Sequence, residues 1–563
     1  MSFRKNDTHQ MTLNDSYFGL TEREKKALEK SWAKVFADDV FPMIDENRFE
    51  CLYSDKASRP NTPVNVIIGA LIIKELFNLS DDEIVEDILH DPRFQYALHT
   101  TSFEEQPISD KSLSRFRQRC YDYERLNNID LYKGCVTDLA AKTAKLMKID
   151  GRIRRMDSLM VESNIRKLSR MELLYRCISK LVKYLHDNDH DDLIMTLGRY
   201  YDPDDFNKTI YHSRSTDADE RIKVLLGDAD KLINNCGDRF TEVTEYQLLV
   251  RCLSEQTIME DGKRRLRNKE DGGMSSDILQ SPADPDATYR EKAGKQHRGY
   301  VGNIEESVGE NGSVVTGYGY ETNNTSDSAM LKDHLEKMDK QEQETLVVTD
   351  GAYAGEENTK LAAEKNVKLV TTDLPGSDVP EIIGEFELNE AETRVVKCPM
   401  GYAPKSSGYI KATGVCTASF DRSCCENCPH KYQCRAKIYM RVAKITVTGN
   451  KIRRAKLQAE MKTEAYKAYG RLRNGVETIP SMLRNLFNVN SMPVRGKIKT
   501  KFFFGSKIAA LNFRKLFGYR KGLGNYAQNP LLSATNKNNR RYSWPAGMSN
   551  FLWQPLLDII STI

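Results

Sequence analysis

Residues 345–357 read T-L-V-V-T-D-G-A-Y-A-G-E-E. Thr345–Thr349 is a short apolar run rich in β-branched residues, the mark of a strand buried on both faces. Asp350 and Gly351 end it, a helical stretch near Glu356–Lys365 follows, and Val367–Thr371 is again strand-like. That is one parallel strand–helix–strand unit, with an acid at the carboxyl end of its first strand, where sites collect. Taken alone, an aspartate there is more often a turn or helix-cap residue.

Upstream, Ile149–Val161 is predicted to be the first strand, with Asp157 inside it in Arg155-Met156-Asp157-Ser158. A buried lone carboxylate is costly unless it takes a proton or meets a cation. Gly299–Val308 and Ser313–Thr322 read as two strands joined by Gly309-Glu310-Asn311-Gly312, and Asn-Gly is a strong hairpin signal. Ser326–Met338 reads as a helix. The order strand, strand, strand, helix, strand, helix, strand is that of a ribonuclease-H-like fold, an α/β architecture with a mixed central sheet. Its first and fourth strands are neighbours, so Asp157 and Asp350 are expected in one crevice. Two anions there repel, and a divalent metal resolves the conflict. Hard oxygen ligands suit Mg²⁺ or Mn²⁺. Two such ions roughly 3.5–4 Å apart activate a water or 3′-hydroxyl and stabilise the leaving oxygen of a phosphodiester.

A chain of 563 residues implies several domains. With 39% hydrophobic and 29% charged residues it reads as a folded protein rather than a disordered one. No apolar run has the length of a membrane helix, and Met1–Gln10 lacks an apolar signal core. A cytosolic protein with no membrane partner is expected. Net charge is only +4, yet Arg441–Arg541 carries 23 Lys and Arg against three acids, Glu460, Glu464 and Glu477. A segment so short of acids points to a polyanion such as nucleic acid. The plainer reading is a solvated face neutralised by acids elsewhere in the fold.

Residues 60–150 read as helices. Val64, Ile67, Ile68, Leu71, Ile72, Leu76 and Leu79 form one apolar stripe, and Ser80 with Glu83 forms a capping box opening the next helix. His90-Asp91-Pro92 ends that helix. Ser112–Tyr121 is read as a third, with Leu113 and Phe116 inward and Arg115, Arg117 and Arg119 outward. Such a region suits DNA binding, and suits a plain bundle nearly as well. Residues 165–185 and 215–262 read as polar helices, and 262–284 as a loop. Around Glu477 stand Arg471, Arg473, Arg484, Arg495, Lys497, Lys499 and Lys501, cations of the kind that grip phosphates. Phe502, Phe503 and Phe504 follow; stacking on unpaired bases is one reading, and core packing is the preferred one.

Six of the twelve cysteines are scattered and six lie between Cys398 and Cys434. The scattered ones read as buried thiols of a reduced compartment. Cys425-x-x-Cys428 has the spacing of half a zinc knuckle; Cys434 with Cys398 or Cys416 would complete four thiolates, and His430 could substitute. Such a site holds structural Zn²⁺. Reduced free thiols are the alternative.

The blocks MDSLMVESNIRKLSRMELL (156–174), LVVTDGAYAGEEN (346–358) and RLRNGVETIPSMLRNLF (471–487) with RGKIKTKFFFGSKIAALNFRKL (495–516) resemble the three signature blocks of bacterial insertion-sequence transposases of the DDE type. Residues 64–120 resemble their N-terminal domain. The resemblance implies a ribonuclease-H-like core with an acidic triad in which Asp157 is first, Asp350 second and Glu477 third. It also implies double-stranded DNA as partner, both the inverted-repeat ends and the target, and a homodimer to join two ends. Recognition would fall to Arg115 and Arg119 in the N-terminal helices and to Arg473, Arg484, Arg495, Lys497 and Lys499 in the basic C-terminal segment. One departure is Pro480, three residues after Glu477 in the expected catalytic helix. Either the helix kinks there or it begins at Thr478 with Pro480 in its first turn. Glu464 and Glu460 are the fallback acids.

The expected domains are residues 1–148, helical and DNA-binding; 149–393, the ribonuclease-H-like core with a helical insertion at 163–283; 394–440, a cysteine-rich insertion; 441–525, the rest of the core with basic helices; and 526–563, a tail. The expected function is metal-dependent cleavage at transposon ends with strand transfer into target DNA. The alternatives are a catalytically inactive or domesticated DNA-binding relative, and a nuclease acting on RNA–DNA hybrids.

Overall fold

A computed structural model describes residues 1–6, 16–56, 58–100, 108–211, 218–292, 294–374 and 376–522. The predicted tail at 526–563 lies outside the described residues. The chain is mixed α/β, with a helical N-terminal region ahead of a ribonuclease-H-like core. Its leading helices are α1 (Val64–Phe77), α2 (Asp81–His90), α3 (Asp110–Asn127) and α4 (Leu131–Leu146), followed by strand β1 (Ile153–Glu162). Then come α5 (Arg170–Asp187), α6 (Ala218–Cys236) and α7 (Thr244–Gln256). Strands β2 (Thr288–Lys292), β3 (Lys295–Gly309) and β4 (Gly312–Thr322) precede α8 (Asp327–Lys337), β5 (Thr345–Thr349), α9 (Glu356–Glu364) and β6 (Val367–Thr371). The cysteine-rich stretch contributes β7 (Ser406–Ile410), β8 (Val415–Asp421) and β9 (Val442–Thr448). Helices α10 (Glu464–Asn474), α11 (Thr478–Asn485) and α12 (Lys497–Arg520) complete the described chain.

The chain divides into two compact units, and β1 runs from one into the other. The first unit holds Met1–Gly151, Asp157–Met330 and Thr478 to the end of the described chain. In it β2, β3 and β4 pair antiparallel, and the later part of β1 lies beside β3. The hairpin closes with Gly309 opposite Gly312, as Asn311-Gly312 predicts. Helix α12 packs on β4, where the Asn512 amide donates to the Val315 carbonyl (2.8 Å) and accepts the Val315 N–H (2.9 Å). Phe502, Phe503 and Phe504 are buried, with Phe502 stacked on Tyr132 at 3.8 Å, so these rings are core.

Two expectations about the N-terminal helices need correcting. Helix α1 is buried on all sides rather than along one stripe. Arg117 points inward: it pairs with Asp81 and lies 5.3 Å from the Phe503 ring. The capping box of α2 is present, with the Ser80 N–H donating to Glu83 (2.6 Å) and the Glu83 N–H to Ser80 (3.1 Å). Helices α5, α6 and α7 bury Ile178, Leu181, Leu226, Leu232 and Leu249 together as a hydrophobic core of their own. The chain leaves α7 at Gln256 and forms a small hairpin, Thr257–Glu260 with Lys263–Leu266, where a longer helix is predicted. Strand β2 is absent from the expectation, because its Thr-Tyr-Arg-Glu-Lys sequence is too polar to register.

The second unit comprises Arg152–Met156 and Leu331–Glu477. The start of β1, β5 and β6 run parallel there, with Arg155 level with Val348 and Val348 level with Val370. Met156, Leu335, Val347, Tyr353, Ala362 and Val367 form its core. The cysteine-rich stretch folds mostly as antiparallel sheet, β7 on β8 and β8 on β9, over a separate core that includes Phe420, Ile445 and Val447.

Candidate active site

Asp157 lies in the middle of β1 and is 9% exposed. One of its carboxylate oxygens accepts the Ser158 N–H at 2.8 Å. Asp350 stands where β5 ends. Its carboxylate caps the short turn Gly351–Tyr353 by accepting the Ala352 N–H at 2.9 Å, so the cap reading of this acid is correct as far as it goes. The next N–H, Gly351, donates to Asp373 at 2.6 Å. The other Asp350 oxygen faces Arg473, 3.6 Å from a guanidinium nitrogen.

Glu477 follows α10 in a single turn, Gly475–Glu477, and α11 begins at Thr478 with Pro480 in its first turn. Proline is tolerated there because the first-turn N–H groups have no intrahelical partner. Of the two readings of Pro480, the structure takes the second. Arg473, one helical turn before Glu477, donates to its carboxylate at 2.7 Å. A single guanidinium thus meets both Asp350 and Glu477. The backbone of this turn is fixed from below: the buried Arg155 donates to the Leu472 carbonyl at 2.9 Å. Gly475 leaves room for it, since a Cβ there would stand 1.9 Å from the Arg155 guanidinium. Tyr466 ties α10 to β6 through its hydroxyl and the Thr371 carbonyl, 2.7 Å apart. Arg155, Asp373 and Gly475 are contributors that the sequence reading did not single out; only the oddity of an arginine beside a strand aspartate hinted at the first.

The fallback acids are placed otherwise. Glu464 opens α10, pairs with Lys467 at 2.8 Å and is largely exposed. Glu460 ends the preceding helix and is exposed.

The predicted DNA contacts fall into two groups. Arg115, Arg484 and Arg495 are exposed. The others are part-buried: Arg119 lies 4.7 Å from the Tyr53 ring, Arg473 is held by the two acids, Lys497 pairs with Glu321, and Lys499 has no ion partner among the described residues. Lys497 also opens α12, its N–H donating to Asp286 at 2.9 Å, while the Gly496 N–H reaches the fully buried Asp284 at 3.2 Å.

All twelve cysteines are free thiols. Cys398, Cys424, Cys425, Cys428, Cys434 and His430 line one cavity of about 20 Å³. Burial, and then the neighbouring thiols, pushes Cys425 and Cys434 up to about 11. Cys416 is elsewhere: it is fully buried in β8 and its thiol meets the Glu392 carbonyl. Among the described residues no three or more His, Cys, Asp or Glu side chains stand together in metal-holding geometry.

Two segments match known family models. Residues 25–119 match a family model described as a transposase domain (DUF772). Residues 397–517 match a transposase DDE domain. Over both segments the chain is similar to transposases, the second to their DDE domain. The first match covers the helical N-terminal region. The second includes Glu477, the cysteine cavity and most of α12, and leaves Asp157 and Asp350 outside it. Neither the curated proteins nor the solved structures gave a match. Among the described residues no helix is long and apolar enough to cross a membrane.

Proposed function

We propose that the transposase cleaves a phosphodiester at each end of its element and joins the freed 3′-hydroxyl to target DNA, with Asp157, Asp350 and Glu477 as catalytic carboxylates. One observation carries the reading. Asp350, at the end of β5, and Glu477, in the turn after α10, meet one and the same guanidinium, that of Arg473. Asp157 joins them on the resemblance, as the acid of the first signature block.

The donor set fits a divalent cation. Asp350 and Glu477 already attract one positive group, Arg473, and carboxylate oxygens are the hard ligands that Mg²⁺ or Mn²⁺ prefers. Bound there, the ions would supply Lewis-acid activation of the attacking oxygen and neutralise charge on the leaving one. The protein's own residues do the positioning. The Ala352 N–H fixes the Asp350 carboxylate, and Arg155 with Gly475 fixes the turn that presents Glu477. The exposed Arg115, Arg484 and Arg495 would meet phosphates of the inverted-repeat and target duplexes. Two ends joined in one event favour a homodimer, working on nucleoid DNA in the bacterial cytoplasm. The test is nicking of a duplex that carries the element's own ends: cleavage with Mg²⁺ and none with EDTA supports the reading. Binding without nicking under any divalent metal would instead make this an inactive, DNA-binding relative.

We further propose that Cys398, Cys425, Cys428 and Cys434 hold a structural Zn²⁺. These thiols share a cavity with room for about one water molecule, more than a bare ion needs, and four thiolates leave Zn²⁺ no open position. Binding would need the thiols to turn toward a common point. The purified transposase should carry one zinc per chain and lose thermal stability when it is stripped. Unchanged melting after stripping, or no metal in the purified protein, would leave ordinary free thiols.

A further inference from the structure

The helical segment between β1 and β2 has no part in the chemistry above, yet it bears a cavity of about 400 Å³. That lies within the usual range of ligand pockets, roughly 300–1,000 Å³. Arg166, Arg176, Lys180, Lys183 and Arg495 line it against one acid, Asp202. Asp202 is engaged by Lys208 at 3.3 Å. Two of the cations are held by carbonyls: Lys180 donates to Pro282, and Arg495 to Asn164 at 2.6 Å. Among the described residues Arg166, Arg176 and Lys183 have no acid at ion-pair distance. Arg176 is laid 4.7 Å from the Phe206 ring, and its buried Nε has no hydrogen-bond partner among the described residues. The wall behind is apolar and aromatic. Tyr175 and Tyr200 offer their rings, because their hydroxyls are bound by Asp205 (2.7 Å) and Asp228 (2.9 Å).

Clustered cations call for an anion with several oxygens, and guanidinium groups suit phosphate in particular. An apolar, ring-lined wall calls for an organic body attached to that phosphate. A paired base is stacked inside its duplex and cannot enter a cavity of this size. We infer that this pocket takes an unpaired nucleotide of a DNA strand, its phosphate on Arg166, Arg176 and Lys183 and its sugar and base against Phe206 and the tyrosine rings. This rests on the reading of the protein as a DNA-processing transposase. It adds a second place, on the helical insertion, where a frayed or cleaved strand is held.

The probe is a fluorescent oligothymidylate of about ten residues, a length within known single-strand site sizes, with thymidine 5′-monophosphate as competitor and blunt duplex as reference. Binding is read by anisotropy across a salt series on the full-length protein. The wild type should bind the oligonucleotide. Arg166→Ala/Arg176→Ala/Lys183→Ala should weaken it about tenfold or more and flatten the salt dependence by about one unit per lost phosphate contact. Arg166→Glu and Lys183→Glu change exposed residues only, keep the fold testable, and should weaken it too. Equal affinity and slope in all variants overturns the inference. So does wild-type binding to duplex but not to the oligonucleotide, and that result leaves the transposase reading intact. Binding of the monophosphate without the strand assigns the pocket to a free nucleotide and also overturns it. No DNA binding of any kind overturns both.

Discussion

Arg473 sets the character of the third acid. Glu477 is 59% exposed at its side chain, and a surface glutamate of that kind would sample many rotamers. The guanidinium, only 19% exposed, holds it one turn away while its other arm faces Asp350. It relieves the repulsion of two neighbouring anions and narrows their orientations, the service that outer-layer partners give to metal ligands. Arg473→Ala should therefore lower DNA cleavage by about 10- to 100-fold while leaving duplex binding within a few-fold, and Arg473→Lys should recover part of the loss. Activity untouched by Arg473→Ala would mean that Glu477 is oriented by something else. A residue expected among the phosphate contacts is thus committed to the acids.

At the scale of elements, Pro480 shows how a misfit in a motif dissolves in its structural setting. In a helix interior proline removes a hydrogen bond and clashes with the preceding turn, at a cost of about 3 kcal/mol. Because α10 ends at Asn474 and α11 starts at Thr478, Pro480 meets neither penalty. Pro480→Ala should shift stability by less than about 1 kcal/mol in urea denaturation and leave cleavage unchanged. A strong gain in stability would show a strained proline. The junction of α1, α2 and α3 makes a pH-dependent prediction. Burial pushes the Asp81 carboxyl up, but the ion pair with Arg117 and the nearby Lys74 outweigh it and leave it below its usual value. An acid lowered on folding contributes its full stability above its unfolded value of about 3.9 and loses it as pH falls through the folded value. Asp81→Asn should be less stable than wild type at neutral pH, with the gap closing below about pH 4. A gap that persists unchanged in acid would assign the loss to packing.

Across the whole molecule, what could be read ahead of the structure followed local physics. Thr345–Thr349 and Val367–Thr371 are found with the predicted bounds, because short apolar runs ended by Asp-Gly and Thr-Thr-Asp leave little choice. The Ser80 capping box and the Asn311-Gly312 turn were equally legible. Polar edge strands such as β2 carried no signal, and Arg117 looked outward because its burial depends on Asp81 and Phe503, distant in sequence. The same limit applied to the site. The three candidate acids were chosen by their setting and by resemblance, whereas the contacts of Arg155, Gly475 and Arg473 around Asp350 and Glu477 lie in no local window.

The central claim is that three separate carboxylates act as one metal-dependent centre. The most direct measurement is Mg²⁺-supported cleavage of a duplex bearing the element's ends by Asp157→Asn, Asp350→Asn and Glu477→Gln, with DNA binding and melting temperature recorded on the same preparations. The account predicts that each variant folds and binds DNA yet loses cleavage by at least about a thousandfold, with no further loss on combining them, as expected of groups that work as a unit. Near wild-type cleavage by any one of the three would contradict it.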